Sequence, residues 1–456
     1  MPGIHERKKR HPNRRDILKM GTLAGLSIAV GKANVSAETT KRGHARSQFK
    51  VKPIDLVRVG FVGVGGMGTS HVRNFLNIEG VEIKAVCDIV EGKVKRIQNL
   101  VQKAGQPKPE GYSRGETDFK RLCQQEDLDL VFTATPWRWH VPVCVAAMEA
   151  GKHAATEVPA ATTIEECWQL VETAEKTKLH CIMMENCCYD RIELMILNMV
   201  RKGLLGELLN AECGYLHDLR GLKFGNGGEG LWRIAHSIKR NADLYPTHGL
   251  GPIAQCMNIN RGNQFDHLVS MSSNSRGLNL YAARRFGPEH PKAKQIYALG
   301  DVVTTMIKTA KGQSIVVKHD TDAPRPYSRS IMLQGTKGIV RKYPEEKIHI
   351  EGRTRGNKWE PLSNYSEEFS HPLWNNLRSK SKGRGHGGMD FIENYRLVDC
   401  LRKGEPLDMD VYDAASWSAV TELSERSIAG RSKSMDFPDF TRGLWKTNPA
   451  LGIIEG

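Results

Sequence analysis

The stretch RVGFVGVGGMGTSH, from Arg58 to His71, decides the fold class of this 456-residue chain. Its first residues are apolar and β-branched, which predicts a buried strand. Gly63, Gly65 and Gly68 then form G-x-G-x-x-G, and helical spacing follows. In such a unit the first glycine allows a tight turn, the second lets backbone approach a pyrophosphate, and the third lets helix and strand pack closely. The helix N-terminus attracts the phosphates. The stretch therefore predicts a dinucleotide-binding turn.

Asp88 lies twenty residues after Gly68, at the end of the next strand-like run, VEIKAVCDI. A carboxylate at this position can accept hydrogen bonds from an adenosine ribose, and it would repel a 2′-phosphate. The position therefore favours NAD over NADP as the cofactor.

Strand-like and helical runs alternate between residues 53 and 186. The strand-like runs include LDLVFTAT and KHAATEV, and the helical run TIEECWQLVETAEKTK begins with a threonine typical of helix caps. Alternation at this spacing predicts a doubly wound parallel sheet. We therefore predict an NAD-binding Rossmann domain over 53–186.

Residues 187–456 have a different pattern. One helical run is followed by many strand-like runs joined by turns, such as DVVTTMIKTA and QSIVVKHD, and two helical runs lie near the C-terminus. Such runs predict a large, mostly antiparallel open sheet. We predict a substrate-binding α+β domain with C-terminal helices over this range, so that the whole chain is of the α/β class.

The first 37 residues have the pattern of a targeting signal. A basic segment contains the pair Arg14–Arg15, and the apolar run MGTLAGLSIAVG after it is too short to span a bilayer stably. Small residues at 35–37 offer a cleavage site. This order is typical of a twin-arginine signal, which exports folded proteins. Residues 38–52 predict a linker. We expect a periplasmic or extracellular protein with no stable membrane anchor; a disordered basic tail is the alternative.

The composition excludes several other classes. The chain is 39% hydrophobic and 26% charged, as in soluble globular proteins. Its net charge is +15, but the basic residues are scattered and match no nucleic-acid-binding module, so we expect no nucleic-acid partner. Its ten cysteines include no paired C-x-x-C sites, so the sequence predicts no metal site.

The stretch TPWRWHVPVCVAAMEAGKHAATEVP, residues 135–159, resembles the T-P-x-x-x-H…A-G-K-H…E-K-P stretch of the glucose–fructose oxidoreductase/inositol dehydrogenase/MocA superfamily. The resemblance covers about residues 53–400. Where the dehydrogenases carry a lysine that helps to orient cofactor and substrate, this chain has Val158. The difference argues against simple alcohol oxidation.

One branch of that superfamily is more similar: the NAD-dependent glycosidases of glycoside hydrolase family 109. The shared stretches are TEVPAATTIEECWQLV, MMENCCY, LWR, LYPTHGLGP and GHGGMDF, and they lie in order along the chain. The resemblance implies hydrolysis of glycans or glycosides that end in α-linked N-acetylgalactosamine.

The resemblance also implies binding residues. NAD contacts are implied for the glycine turn, the carboxylate after the second strand, and residues that follow later strands: Gly63, Gly65, Gly66, Met67, Gly68, Asp88, Trp137, Arg138, Trp139, His140, Glu157, Val158 and Asn186. Sugar contacts are implied for a second group: Tyr215, Arg233, Tyr245, Pro246, Thr247, His248 and Tyr327. Any one of these alone would more often be a core aromatic or a surface cation.

The chemistry of this branch requires proton transfer. Hydride leaves C3 of the sugar, the C2 proton is removed, the C1 substituent leaves, water adds, and hydride returns to C3. Tyrosine and histidine suit these transfers. The motif YPTH supplies Tyr245 and His248, and Glu157 and Tyr189 are further candidates, with individual roles left open. Such a redox-neutral cycle would let an exported protein use a cofactor that it cannot replenish.

Three other functions remain as alternatives. An exported NAD(P)-dependent sugar oxidoreductase of the glucose–fructose type would keep the redox chemistry, but Val158 argues against it. A hydrolase with paired carboxylates would leave the NAD site idle. A non-catalytic sugar- or NAD-binding protein would need no Tyr/His cluster. The sequence leaves a homo-oligomer as one option for assembly.

Overall fold

The structure is a computed structural model that describes residues 51–454. The predicted signal and nearly all of the predicted linker lie outside the described residues.

A first sheet contains six parallel strands within the described range. They are β1 (Val57–Val62), β2 (Val81–Cys87), β3 (Glu110–Tyr112), β4 (Leu130–Thr133), β5 (His153–Thr156) and β6 (Cys181–Met183). Their order is β3-β2-β1-β4-β5-β6, and every pair is parallel. The order reverses between β1 and β4, so a crevice opens there at the carboxyl ends of the strands, the usual ligand site in such sheets.

Helices connect these strands. They are α1 (Gly66–Phe75), α2 (Glu91–Lys103), α3 (Phe119–Gln125), α4 (His140–Glu149) and α5 (Ile164–Thr177). The predicted threonine cap is Thr163, whose hydroxyl accepts a hydrogen bond from the backbone N–H of Glu166 (3.1 Å). β1 is buried at every position except Arg58, as expected for a central strand covered on both faces.

A second sheet is formed by the rest of the described chain. Its strands are β7 (Leu208–Leu216), β8 (Phe265–Ser272), β9 (Val303–Thr309), β10 (Ser314–Asp320), β11 (Met332–Gly335), β12 (Gly338–Arg341), β13 (Lys347–Ile350), β14 (Glu360–Pro361) and β15 (Met435–Asp436). The order is β14-β13-β12-β11-β7-β10-β9-β8-β15, and only β7 and β10 pair in parallel. The predicted fold class, a parallel Rossmann sheet with a mostly antiparallel open sheet, is confirmed.

The second part also contains helices, which precede, separate and follow its strands along the chain. They are α6 (Arg191–Arg201), α7 (Arg220–Lys223), α8 (Gly230–Lys239), α9 (Thr247–Cys256), α10 (Gly277–Phe286), α11 (Pro291–Lys294), α12 (Ser366–Phe369), α13 (Pro372–Ser381), α14 (Met389–Lys403), α15 (Val411–Ser418) and α16 (Val420–Ala429). α14 packs against α1, and α15 against α5, so the C-terminal helices cover the Rossmann sheet. None of the described helices is long and apolar enough to cross a membrane.

The close approach of α9 to β7 places the YPTH motif beside the second sheet. A Cβ atom on Gly249 would lie 2.8 Å from the Cα atom of Gly214, which is too close for any side chain. Glycine at position 249 therefore lets helix and strand meet backbone to backbone. The residues just before Gly249 therefore lie next to Tyr215 of the strand.

Candidate active site

A cavity of about 500 Å³ lies at the carboxyl ends of the first sheet. One wall comes from the Rossmann strands and turns, and the other from β7, α7, α8, α9 and the turn before α14. It brings together most of the residues that the resemblance implied: Gly63, Gly65, Gly66, Met67, Asp88, Trp137, Arg138, Trp139, His140, Glu157, Val158, Asn186, Tyr215, Arg233, Tyr245 and His248. Dinucleotide and sugar residues thus share one cavity.

The glycine turn fits the pyrophosphate of a dinucleotide. Gly63 has φ +82°, a left-handed conformation that favours glycine, and a Cβ atom there would lie 2.9 Å from the backbone of Ala134. Nothing lies within 4 Å of the Cβ positions of Gly65 and Gly66, which face open space in the cavity. The N-terminus of α1 begins at Gly66, so its unpaired N–H groups are available to phosphate oxygens.

Asp88 is held rigidly at the end of β2. Its Oδ2 accepts from the N–H of Val64 (3.0 Å) and its Oδ1 from the N–H of Val90 (2.9 Å). Each carboxylate oxygen can accept a further hydrogen bond, as a ribose would require. Lys93 also lines the cavity, with Nζ 3.7 Å from Asp88 Oδ1. The lysine, which sequence reasoning missed, partly offsets the charge that would repel a 2′-phosphate.

The turn 137–140 follows β4 and is fixed by His140. The ring nitrogens of His140 lie 2.7 Å from the carbonyl oxygen of Pro159 and 2.9 Å from that of Thr135. Burial lowers the pKa of His140, against the effect of both carbonyl contacts. The ring therefore ties together the loops after β4 and β5, and it positions Trp137 in the cavity wall. Val158, where the dehydrogenases carry lysine, is buried in the same wall.

Glu157 is fixed by a buried histidine. His71 of α1 donates from Nε2 to Glu157 Oε1 (2.7 Å), and its Nδ1 contacts the side-chain amide of Asn394. Burial opposes a charge on His71, but the hydrogen bond and charge of Glu157 outweigh it and raise the pKa of the ring. The pair can hold a proton at the edge of the cavity.

Glu185 and His248 form a second carboxylate–imidazole pair. His248 Nδ1 donates to Glu185 Oε1 at 2.8 Å, and Glu185 is fully buried. Burial would raise the pKa of Glu185, but the charge and hydrogen bond of His248 outweigh it and lower that pKa below its ordinary value. The carboxylate therefore fixes the orientation of His248 at the cavity surface.

Two tyrosines pack around His248. The ring centroids of Tyr215 and Tyr245 lie 5.4 Å and 4.8 Å from that of His248, and 4.6 Å from one another. Burial raises the pKa of Tyr215 to about 12 and raises that of Tyr245 well above its ordinary value. Both hydroxyls therefore stay protonated near neutral pH, where they can donate hydrogen bonds to a sugar.

Arg233 is a rigid cation in the cavity wall. Its guanidinium lies 5.0 Å from the ring centroid of Tyr245 and 5.2 Å from those of Trp137 and Trp232. Its Nε donates to Glu229 Oε2 at 2.6 Å. Stacking between aromatic faces leaves the planar guanidinium little freedom, so it is preorganised to bind a polar ligand.

His386 belongs to the GHGGMDF stretch and reaches the same cavity. Its Nδ1 donates to Asp390 Oδ2 (2.8 Å), and Asn186 donates to Asp390 Oδ1 (2.7 Å). The hydrogen bond to Asp390 raises the pKa of His386. The imidazole is half exposed, whereas Asp390 is buried. This third carboxylate–imidazole pair presents its other ring nitrogen to the cavity.

Five predicted site residues do not line the cavity: Gly68, Tyr189, Pro246, Thr247 and Tyr327. Gly68 packs inside α1 against Gly63, and Pro246 and Thr247 form the buried start of α9. Tyr327 stands beside the cavity, with its ring centroid 5.0 Å from that of His217.

Tyr189, predicted as a catalytic candidate, lies in the core. Its ring is 1% exposed, and its hydroxyl donates to Asp408 Oδ2 at 3.1 Å. Asp408 also accepts from Arg396. The packing of the turn after β6 directs this side chain away from the cavity, so the structure gives no support to a catalytic role.

Sequence reasoning missed several residues of the site. His217 lines the cavity two residues after Tyr215, so strand alternation could have found it. Glu185 follows β6 at the carboxyl edge of the sheet, next to the predicted Asn186. His386 and Asp390 lie in a stretch that was identified as shared but was not assigned a role. No sequence pattern marked His71 as a site residue, because it lies inside α1 and its partners Glu157 and Asn394 are far away in the sequence.

Comparisons with known proteins agree with this geometry. Residues 57–185 match the family model "Oxidoreductase family, NAD-binding Rossmann fold". The fold also matches a levoglucosan dehydrogenase solved with NADH and levoglucosan (TM-score 0.64, 20% identity, 84% of this chain and 100% of that one). A scyllo-inositol dehydrogenase from Lactobacillus casei matches similarly (TM-score 0.60, 15% identity, 84% and 99%). The class is thus an NAD-binding protein with the fold of the sugar oxidoreductases.

Residues 189–447 match the model "Glycosyl hydrolase 109, C-terminal domain". A glycosyl hydrolase family 109 protein of Shewanella pealeana is 47% identical over 97% of this chain and 99% of its own length. A protein of Shewanella oneidensis named alpha-N-acetylgalactosaminidase is also 47% identical, with the same coverage. The chain belongs to glycosyl hydrolase family 109. It is an NAD-dependent glycoside hydrolase, and the predicted cofactor and enzyme class are confirmed.

Proposed function

We propose that this enzyme is an exported glycosidase that releases terminal α-linked N-acetylgalactosamine by a redox-neutral route. The observation that carries the proposal is the shared cavity: the NAD-binding glycine turn and three carboxylate–imidazole pairs meet in one space. The substrate is proposed from the name of the Shewanella oneidensis relative.

NAD, when bound, would accept hydride from C3 of the sugar and later return it. A ketone at C3 acidifies the C2 proton, so the C1 substituent can leave by elimination, and water then adds. The protein must take the C3 hydroxyl proton as hydride leaves, remove the proton at C2 and give one to the departing oxygen. It must then return a proton to C2 as water adds, and one to the C3 oxygen as hydride returns. Such groups typically contribute about 10²–10⁴-fold each.

The histidines are the groups best suited to these transfers. His248 is oriented by Glu185, and His386 by Asp390. A carboxylate on one ring nitrogen fixes the tautomer and leaves the other nitrogen free to exchange a proton. Glu157, backed by His71, is a third candidate.

The tyrosines are better suited to binding than to base catalysis. The raised pKa values of Tyr215 and Tyr245 keep both hydroxyls protonated, so they would donate hydrogen bonds to sugar oxygens. Arg233 would contribute a fixed positive charge beside them. This set would orient the sugar against the cofactor.

The runner-up is an exported NAD(P)-dependent sugar oxidoreductase, which would use the same cavity. Val158 argues against it, because a simple dehydrogenase of this superfamily carries a lysine at that place and this chain offers an apolar side chain. Export itself remains a proposal that rests on the N-terminal sequence. A cycle that returns its hydride would suit a compartment without an NAD supply.

The test of this mechanism follows a deuterium label at C2 of the sugar. Hydrolysis of a chromogenic α-N-acetylgalactosaminide deuterated at C2 should give product with solvent hydrogen at C2 and no net NADH. A displacement by two carboxylates never breaks the C2–H bond, so it predicts full retention of deuterium. An oxidoreductase would give an oxidised sugar without released chromophore. Retained deuterium in an active preparation would overturn the elimination route.

Variants separate the site from the core. We expect His248→Ala to slow turnover by about a hundredfold or more, because it removes a proton-transfer group. Tyr245→Phe removes a hydroxyl that orients the sugar, so it should slow turnover by about tenfold to a hundredfold. Bound NAD should stay, because the Rossmann turn holds it. Tyr189→Phe is the matched control: its hydroxyl contacts Asp408 outside the cavity, so turnover should stay near that of the parent. A Tyr189→Phe defect as large as that of Tyr245→Phe would contradict this arrangement.

A further inference from the structure

Glu185, Cys187 and His248 bring together three different metal-ligand groups at the wall of the cavity. Each offers one ligand atom, and these atoms lie within 4.8 Å of one another. The sequence predicted no metal site, because Glu185 and His248 are 63 residues apart and only the fold joins them. A thiol, an imidazole and a carboxylate form the donor set that zinc prefers.

We propose that Glu185, Cys187 and His248 bind a thiophilic divalent cation such as Zn²⁺, and that this cation inhibits the enzyme. Zinc holds its ligands at about 2.0–2.3 Å, which places the ligand atoms about 3.3–3.8 Å from one another. His248 Nδ1 and Glu185 Oε1, now 2.8 Å apart, would therefore move slightly apart, and the three atoms, which lie within 4.8 Å of one another, would rearrange around the ion. The inhibitory effect rests on the proposed role of His248; the binding itself does not.

Buried atoms without partners support a ligand at this point. Glu185 Oε1 accepts from His248 and from the N–H of Cys187 (3.1 Å), whereas Oε2 has no hydrogen-bond partner. The buried hydroxyl of Thr247 lies beside this carboxylate and helps to lower the pKa of Glu185. Buried carboxylate oxygens are rarely left in this state without water or an ion. Cys187 is fully buried and makes one weak contact, with Asn186 Oδ1 at 3.4 Å.

The chemistry balances without any change of oxidation state. The cation replaces the thiol proton of Cys187, which leaves to solvent, and His248 changes tautomer, so that Nδ1 binds the cation and Nε2 carries the ring proton. It forms bonds to sulfur, to one imidazole nitrogen and to one carboxylate oxygen. Access is from the cavity, where the His248 side chain is 14% exposed. With Nδ1 bound to the cation and Nε2 protonated, His248 has no free ring nitrogen with which to accept a proton from the sugar.

Binding is tested first with Co²⁺ on the purified NAD-loaded enzyme. We expect a thiolate-to-cobalt absorption band in the near ultraviolet that Zn²⁺ removes in competition. Cys187→Ser should abolish the band. Cys188→Ser should keep it, because Cys188 is an equally buried neighbour outside the group. A missing band in the parent, or an unchanged band in Cys187→Ser, would overturn the proposal, whatever the glycosidase assays give.

Inhibition is tested on the same three samples, with Cys187→Ala as a fourth in case the serine variant fails to fold. We expect Zn²⁺ to inhibit the parent and Cys188→Ser alike. Cys187→Ser should keep its basal turnover and need about tenfold or more Zn²⁺ for half inhibition. NAD content and thermal unfolding check that each variant is folded. Equal Zn²⁺ sensitivity in folded Cys187 variants would show that inhibition arises elsewhere.

Discussion

At the residue scale, we expect Asp88 to influence the choice between NAD and NADP. Two backbone N–H groups fix its carboxylate at the crevice, and Lys93 stands 3.7 Å away. The charge balance of these two side chains is what a ribose or a 2′-phosphate would meet. Removal of the Asp88 carboxylate would leave only the positive charge of Lys93 beside the expected ribose position.

We therefore expect Asp88→Ala to retain less NAD through purification and to bind NADP better relative to NAD. Cofactor released by denaturation, measured by chromatography, should be about one NAD per chain for the parent and clearly less for the variant. Asp127→Ala removes an exposed carboxylate of the same domain and serves as the control. Full NAD retention by Asp88→Ala would contradict the assigned ribose contact.

Asp390 controls the proton affinity of His386. Because the carboxylate raises the pKa of the ring, Asp390→Asn should lower it. If protonated His386 assists the departing oxygen, the alkaline limb of the kcat/KM–pH profile should move to lower pH. Asp399→Asn changes a carboxylate on the same helix that pairs with Lys403 and should leave the profile in place. An unmoved limb in Asp390→Asn would remove His386 from the role of acid.

At the scale of the element, the glycine-rich turn before α14 presents His386. Gly385 and Gly387 both have left-handed backbones, with φ of +78° and +73°. A Cβ atom on Gly385 would collide with Asp390 Oδ2, whereas nothing lies within 4 Å of the one on Gly387. A side chain at either position would therefore strain the backbone, but only one at position 385 would also displace the Asp390 carboxylate.

We expect Gly385→Ala to slow turnover by about tenfold to a hundredfold, because a displacement of about 1 Å at a catalytic group has effects on that scale. Gly387→Ala should lose similar thermal stability and much less activity. Steady-state kinetics together with thermal unfolding make the comparison. Equal kinetic losses in the two variants would mean that backbone strain, and not the contact with Asp390, governs the turn.

At the scale of the whole molecule, the proposed export signal and the proposed redox-neutral cycle are consistent with one another. A protein that is exported in its folded state can carry bound NAD with it, and a reaction cycle that returns hydride to the sugar leaves that NAD oxidised for the next turnover. The segment lies outside the described residues, so this part depends on Arg14–Arg15 and the short apolar run after them.

Changing Arg14–Arg15 to Lys–Lys should leave the precursor in the cytoplasm, since the twin-arginine route depends on that pair. Fractionation followed by immunoblotting gives the distribution, and activity in the cytoplasmic fraction confirms folding. Replacing Lys8–Lys9 by Arg–Arg keeps the charge and the twin pair, and it should export normally. Normal export of the Lys–Lys variant would point to another route.

The sequence by itself determined the parts of this protein that depend on local spacing. The glycine turn, Asp88 and the two sheet types follow from motifs and from alternation along short segments, because hydrophobic periodicity reports which side of an element is buried. The YPTH residues Tyr245 and His248 were found through a contiguous motif shared with glycoside hydrolase family 109.

Only the tertiary structure decided which distant side chains meet. It joined Glu185 to His248 and Asn186 to Asp390, 63 and 204 residues apart, and it placed Tyr189 in the core against Asp408. Periodicity tells whether a side chain is buried, but not which other chain segments surround it. Those partners are set by how α9 and α14 pack on the sheets, and that packing turns separate histidines into carboxylate–imidazole pairs around one cavity.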